Sequence, residues 1–408
     1  VYHGSHFVEL DHCSLESIHV SNFTDWALGV TRKFNNTSTG WRDEWTLQLL
    51  ELYALHNGLC NFTNYRARIP QDVTANAHIR KIARIPSPPG HSRIAFTIIA
   101  YQDAQHLQRL IEAIHMPHHY IVIHLEESTA LEFQIQVQRI ANRYENVVLR
   151  QFGTILYKTD SVSRVQLQLM SWLVHQLQVE YDYHITLGGA VYPLWNASAL
   201  AQNLKGNVYM GELTHNGMQV HHPQWGNFWK KRLLTSNDKE TIKVGFLFDN
   251  KVPNWIDQAL QHKATSGNQA VYSRHVVQAM LQSEQVMYLF ALAKYGCCCC
   301  IEERSWIAAM HLLGFGQEAK QQRSVLQLWG GDSKNCKGSM SNVVLDLNLD
   351  RCYRQEDPLK PTVYIRGNET WSYLMHARAS GVLFARKFRS THAGSVVLME
   401  RIRQEMHV

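Results

Sequence analysis

The sequence predicts an α/β fold, a mainly parallel sheet covered by helices on both faces, on three observations. From Arg93 onward short apolar runs of strand length alternate with amphipathic stretches of helical period, which is the pattern of βαβ units. The chain has 408 residues, of which 45% are hydrophobic and 18% charged, enough for a large core and too apolar for a disordered chain. The segment Arg84-Ile-Pro-Ser-Pro-Pro-Gly90 sets this region off from what precedes it, because prolines and glycine end both helix and strand.

The elements follow in order. Residues 94–100 form an apolar run read as a buried strand, and 103–115 carry Leu107, Leu110, Ile111 and Ile114 on one helix face. Residues 120–125 are again strand-like; Thr129 and Glu132 have the spacing of a capping box for a helix whose face is Phe133, Val137, Ile140 and Ala141. A third strand is read at 147–152 and a long helix at 161–179, with Val162, Val165, Leu169, Trp172, Leu173 and Leu177 on one side. Residues 183–187 and 208–213 are the fourth and fifth strands, and a further helix is read at 44–56. In such sheets ligands bind beyond the carboxyl ends of the strands. The loops of interest are therefore Tyr101–Asp103, Glu126–Ser128, Phe152–Ser161 and Gly188–Pro193.

Composition narrows the function. The net charge of +6 suits an anionic partner such as a nucleotide, but no Lys/Arg stripe with interleaved aromatics points to nucleic acid. No apolar run reaches the length that spans a bilayer, so the chain is expected to be soluble as written, with any membrane anchor outside it. Asn22, Asn35, Asn36, Asn61, Asn196 and Asn368 each begin an N-x-Ser/Thr acceptor. Four of the six fall in the first 65 residues, as in a glycosylated stem. The eight cysteines include the run Cys297 to Cys300. No second C-x2-C pair accompanies that run to complete a metal site, and disulfides to partners such as Cys336 and Cys352 are the preferred reading.

Several common sites are absent: no G-x-G-x-x-G after the first strand, no Walker A sequence, no H-E-x-x-H and no G-x-S-x-G. A parallel α/β chain without them leaves nucleotide-sugar transferases in view. There is no D-x-D metal motif; Glu180-Tyr-Asp182 comes closest but precedes a strand. An enzyme without a metal must neutralise a leaving diphosphate with side chains, for which the planar Arg fork is suited. Phe384-Ala-Arg-Lys-Phe388 places two adjacent cations between apolar anchors. From spacing alone, a surface turn with two solvated charges is the plainer reading.

Several stretches resemble the core-2/I-branching β-1,6-N-acetylglucosaminyltransferases and their relatives, the protein O-xylosyltransferases and plant glucuronosyltransferases. Ile98-Ile-Ala-Tyr-Gln-Asp103 is similar to the family's first strand and turn, and Leu110 to Glu126 to its "L-x-x-A-I-Y-H-P-x-x-x-Y-x-I-H-V-D". Leu187-Gly-Gly-Ala-Val-Tyr-Pro-Leu194 stands where the family has "L-x-x-x-D-F/Y-P-L/I". Ala270-Val-Tyr-Ser-Arg274 is similar to its "V-x-S-R", and Cys300-Ile-Glu-Glu-Arg-Ser-Trp306 to its "P-D-E-x-x-W". Phe384 to Phe388 is identical to a motif of the xylosyltransferase and plant branches.

The resemblance implies a GT-A-type, Rossmann-like domain over residues 91–408, after a stem or accessory segment at 1–90. It implies an inverting glycosyltransferase that requires no metal or other cofactor. A UDP-sugar, UDP-GlcNAc or UDP-xylose, would be the donor, and a glycan, glycoprotein or proteoglycan hydroxyl the acceptor. The place would be the Golgi lumen, as the luminal part of a type II membrane protein. Glu303 falls at the position of the catalytic base, with Glu302 its neighbour should the register slip by one. Arg386 and Lys387 fall where the family contacts the diphosphate, with Lys360 or Arg366 as a further cation. Asp103 and Glu126 fall near the uridine, and Glu212 on the acceptor side. Read without the family, these acids are loop or helix-start carboxylates. His115, His118 and His119 stand in a turn that the family has without metal.

Three departures mark the chain as divergent. The family's Asp before "F/Y-P-L" is Val191, its glycine pair before "x-S-x-L" is Asp160-Ser161, and its Pro-Asp before the base is Ile301-Glu302. Val191 keeps open an alternative: a non-catalytic relative that binds a glycan or UDP-sugar without turnover.

Overall fold

The computed structural model describes residues 85–126, 128–152, 155, 161–212, 232–233, 242–243, 265–293, 301–321, 324–327 and 367–406. Four strands, β1 (Ile94–Ala100), β2 (Tyr120–Leu125), β3 (Val147–Arg150) and β4 (Tyr183–Gly188), alternate with α1 (Ala104–Ile114), α2 (Leu131–Ala141) and α3 (Ser161–Ser171). All four strands are parallel, with β1 central between β2 and β4 and β3 outside β2.

The sequence dictates this arrangement through burial. β1 is buried along nearly its whole length, as a parallel strand covered on both faces must be. Alternate residues serve opposite cores. Ile94, Phe96 and Ile98 pack with Leu107 and Leu110 of α1 and Val137 of α2. Ala95 and, on β2, Tyr120 and Val122 pack with Val165, Leu169 and Trp172. The expected α/β sheet with helices on both faces is therefore present.

Beyond β4 the chain adds β5 (Val191–Pro193), α4 (Ala197–Asn203), β6 (Val208–Glu212) and a two-residue ribbon of β7 (Arg232–Leu233) with β8 (Ile242–Lys243). Next come β9 (Thr265–Ser273), α5 (Arg274–Gln282), α6 (Glu284–Ala293), α7 (Ile301–Leu312), α8 (Gly316–Gln321) and β10 (Val325–Gln327). The last elements are α9 (Gly367–Ala379), β11 (Phe384–Arg386) and α10 (Ala393–Glu405). The fifth strand of the sequence reading, β6, does not adjoin β4. β9 lies between them, antiparallel to both, so β6 runs in the direction of β4 but pairs with a strand from much later in the chain. A second sheet, ordered β10-β11-β5, was not legible in the sequence.

Two local expectations fail. No capping box opens α2: its N-cap is Ala130, without a side-chain bond. The Thr129 hydroxyl instead donates to the Glu126 carbonyl at 2.7 Å. The long helix read at 161–179 leaves α geometry at Trp172 and continues as a π-turn over Trp172–Gln176, closed by Leu177 N donating to Trp172 O at 2.9 Å. Among the described residues no helix is long and apolar enough to cross a membrane. The helix read at 44–56 and all eight cysteines lie outside the described residues.

Candidate active site

The site is built at the carboxyl ends of β1, β2 and β4. Past β4 the chain turns through Gly189 and Ala190 into β5. Gly189 N donates to Ile99 O at 3.0 Å, which ties this turn to the carboxyl end of β1. β5 then pairs antiparallel with β11 in the register Val191↔Arg386, Tyr192↔Ala385 and Pro193↔Phe384. Backbone bonds extend the pairing at both ends, Phe388 N to Ala190 O at 2.9 Å and Leu194 N to Leu383 O at 2.9 Å. The structure thus brings together two motifs far apart in sequence, Leu187–Leu194 and Phe384–Phe388.

Phe384, Ala385 and Phe388 are fully buried, while Arg386 and Lys387 between them are half-buried. The apolar anchors thus fix two cations at the mouth of the β4–β5 turn. Val191 is fully buried in the main core. Its strand position faces Arg386 directly, and directly opposed residues of an antiparallel pair share a face. An acid there would adjoin that guanidinium; here the position contributes packing.

Asp103 ends the β1–α1 loop in a left-handed conformation (φ 61°), which aspartate tolerates better than most residues. Its Oδ1 caps α1 by accepting from His106 N at 3.1 Å. Oδ2 accepts from Ser390 N at 2.8 Å, and the Ser390 hydroxyl donates to Oδ1. Burial alone would raise this carboxyl, but the bonds from Ser390 and the His106 amide outweigh it and hold Asp103 below the ordinary carboxylate range.

Glu126 is also turned toward protein. It is 5% exposed; Oε2 accepts from Ile155 N at 2.7 Å and Oε1 from the Ser128 hydroxyl at 3.3 Å. The His124 ring lies 3.8 Å away, and its Nδ1 accepts from Phe152 N at 3.3 Å. Burial works to raise the Glu126 carboxyl, yet the His124 imidazole and the Ile155 amide bring it below the ordinary value. Both acids expected near the uridine therefore fasten the loops around the site.

His106, which the sequence reading passed over, is fully buried between α1, β5 and α10. Its Nε2 donates to Val191 O at 3.0 Å, leaving Nδ1 beside Met399 Sδ at 3.2 Å. A histidine among the apolar positions of a helix was the available signal, but core histidines satisfied by backbone are commonplace. Ser390 gave no signal at all.

Glu303 lies in the first turn of α7, a helix anchored by Trp306 one turn later. Trp306 is fully buried, stacks on Tyr272 of β9 at 5.7 Å, meets Phe290 at 4.8 Å, and donates from Nε1 to Ser163 Oγ at 3.1 Å. The side chains of Glu302, Glu303 and Glu212 lie outside the described residues, as do Lys360 and Arg366; the backbone of Glu212 ends β6, paired with Thr265. Glu180 and Asp182 of the near-D-x-D sequence bind Arg274 and the Arg93 amide respectively, structural tasks at the opposite end of β4. His115 Nε2 donates to Asn146 Oδ1 at 2.8 Å, and His119 Nδ1 accepts from Ile94 N at 3.3 Å. Among the described residues no group of three His, Cys, Asp or Glu side chains is placed to hold a metal ion. Asn196 caps α4 by accepting from Ala199 N at 2.6 Å, and Asn368 is the second residue of α9. Asn22, Asn35, Asn36 and Asn61 lie outside the described residues.

Three buried histidines give the fold an acid limit. Burial lowers His106 to about 4, and His119 and His184 each to about 3. Each is neutral when folded, while the unfolded chain binds protons from about pH 6.5 downward. Stability is therefore unaffected above that pH and falls as pH drops through the window from 6.5 toward 4. At pH 5 the loss relative to pH 7 is on the order of 2 kcal/mol per histidine. Urea unfolding at the two pH values checks this: the midpoint drops steeply at pH 5, and an unchanged midpoint contradicts it.

A family model described as the core-2/I-branching enzyme matches residues 94–335. Two curated relatives share the name beta-1,3-galactosyl-O-glycosyl-glycoprotein beta-1,6-N-acetylglucosaminyltransferase. The Bos taurus protein is 28% identical over 205 residues, 49% of this chain and 45% of its own length. The Homo sapiens protein is 27% identical over 206 residues, with the same shares. The chain thus spans about half the length of the curated relatives it matches. Among solved structures, core-mannan synthase A from Aspergillus fumigatus, in a manganese- and GDP-bound form, is 11% identical and aligns over 58% of this chain and 72% of its own, with a TM-score of 0.29.

Proposed function

The chain belongs to the core-2/I-branching enzyme family, and from that premise we propose that it is a glycosyltransferase that moves a sugar from a UDP-sugar to a hydroxyl of a glycan or glycoprotein. N-acetylglucosamine is the first candidate sugar, because the curated relatives are named for its transfer. Xylose is the second, on the identity of Phe384 to Phe388 with the motif of the xylosyltransferase branch. The observation that carries the reading is the register of β5 with β11, which stations Arg386 and Lys387 against the turn that leaves the carboxyl end of β4. That is where a donor diphosphate would lie in a sheet of this kind.

The chemistry is a single inverting displacement. The Glu303 carboxylate takes the proton of the acceptor hydroxyl as that oxygen attacks C1 of the sugar. The bond from C1 to the β-phosphate oxygen breaks, and UDP leaves with its charge met by Arg386 and Lys387. Side-chain cations in this role make a metal unnecessary. Asp103 and Glu126 hold the loops that border the nucleotide, Lys360 or Arg366 is a further cation for the diphosphate, and Glu212 is assigned to acceptor binding. Such a protein would work in the Golgi lumen as the luminal part of a type II membrane protein. A second reading, a relative that binds a UDP-sugar or glycan without transfer, is favoured by Val191, where a valine occupies the strand position facing Arg386.

The test is a UDP-release assay in EDTA with UDP-GlcNAc, UDP-xylose and UDP-glucuronic acid, each with and without glycan and peptide acceptors. Acceptor-dependent release, expected with UDP-GlcNAc, supports the transferase and identifies its sugar. UDP binding without release from any donor, across the whole acceptor panel, selects the second reading.

A further inference from the structure

The N-cap of α1, Asp103, and His106 in its first turn meet the segment that carries the cations, although neither belongs to it. Asp103 receives both the amide and the hydroxyl of Ser390, which follows Phe388 closely in the chain. His106 donates to the carbonyl of Val191, the residue paired with Arg386. Its ring also lies nearly parallel to that of Phe388, at 6.4 Å and 10°. Arg386 and Lys387 therefore stand between a strand register on one side and a ring contact and a carboxylate anchor on the other, all tied to the first turn of one helix. We propose that Asp103, His106 and Ser390 are positioning residues that clamp the Arg386–Lys387 segment against the β4–β5 turn, so that both cations are set for a nucleoside diphosphate before it arrives.

The inference rests on the reading in the preceding subsection, and it deepens that reading by naming what pre-organises the diphosphate site. Pre-organised donors act without reorganisation as charge develops, whereas a segment that must be ordered by its ligand binds it more weakly. Ser390 serves as the probe, since among the described residues its amide and hydroxyl both go to Asp103.

The experiment measures three quantities on the full chain carrying Ser390→Ala, His106→Leu or His106→Gln: UDP affinity by calorimetry, donor and acceptor KM with kcat, and amide hydrogen exchange across residues 384–390. Loss of one such bond is worth about tenfold in affinity. Ser390→Ala and His106→Leu are expected to weaken UDP binding by about that factor, to raise the donor KM with the acceptor KM unchanged, and to speed exchange at the Phe388 amide. His106→Gln, whose amide can donate to the Val191 carbonyl, is expected to recover most of the loss. Variants that melt earlier yet keep wild-type UDP affinity and wild-type exchange would overturn the clamp and leave Asp103 and His106 as helix and core residues only. A wild-type chain that binds no UDP would count against the proposed function. In that event accelerated exchange at Phe388 in Ser390→Ala still supports the clamp, and unaltered exchange refutes it.

Discussion

Glu303→Gln is expected to lower the transfer rate by a factor on the order of 10²–10⁴, with UDP affinity held near wild type. The amide keeps the size of the side chain but cannot take the proton of the attacking hydroxyl. The loss should therefore fall on kcat, with little change in donor binding. Glu302→Gln is the internal control and is expected to stay within a few-fold of wild type by the same reasoning. The paired measurement also tests the register. If Glu302→Gln is the dead variant and Glu303→Gln the active one, the resemblance has been read one residue out of step. If neither substitution slows transfer, the base lies elsewhere and α7 carries no catalytic acid. Steady-state rates with saturating donor, beside calorimetric UDP binding, separate these cases.

Trp306→Ala is expected to destabilise the fold by about 3–5 kcal/mol. This tryptophan sits fully buried between Tyr272 of β9 and Phe290 of α6, and its Nε1 donates to Ser163 on α3. Deleting the ring opens a cavity in a close-packed interior and also removes the tie that joins α7 to the helix beneath it. Trp306→Phe keeps most of the packing and loses only the bond to Ser163, so about 1 kcal/mol is expected. The melting temperature and urea midpoint read both variants. A Trp306→Ala chain as stable as wild type would mean that this side chain does not hold the α7–β9 contact. Because Glu303 lies one turn earlier on the same helix, transfer activity should fall in Trp306→Ala even at temperatures where the chain remains folded.

The tryptophans show how far residue type alone can be carried. Trp195, Trp306 and Trp371 are all residues that can stack on a sugar. Yet Trp306 is in the core, Trp195 donates to Val382 O at 2.9 Å under the Arg378 guanidinium, and Trp371 lies under Arg401 at 4.1 Å. The acids behave alike. Nothing in the neighbourhood of Asp103 or Glu126 in sequence announces that Ser390 or Ile155 will take up their oxygens, because those partners arrive from other strands and loops. At Thr129 the hydroxyl donates to the Glu126 carbonyl in the preceding turn, and the helix opens one residue later with Ala130 as its N-cap, so the capping-box spacing goes unused.

The doubly covered parallel core is written in the residue pattern. β1 and β2 read as runs dominated by apolar residues because a parallel strand with helices on both sides is buried on both faces, and α1 and α2 show their buried faces at helical spacing. The sequence also determined which charged groups the chain offers, above all the adjacent cations within Phe384 to Phe388. Where those cations stand is set by long-range strand pairing. β5 and β11 have three residues each, too few for any periodicity to declare itself, and the energy that aligns Arg386 with Val191 comes from a pairing between distant segments. The same holds for β9, which enters the sheet antiparallel between β4 and β6. Local pattern records what a residue must be shielded from; which partner shields it is settled when the chain closes on itself.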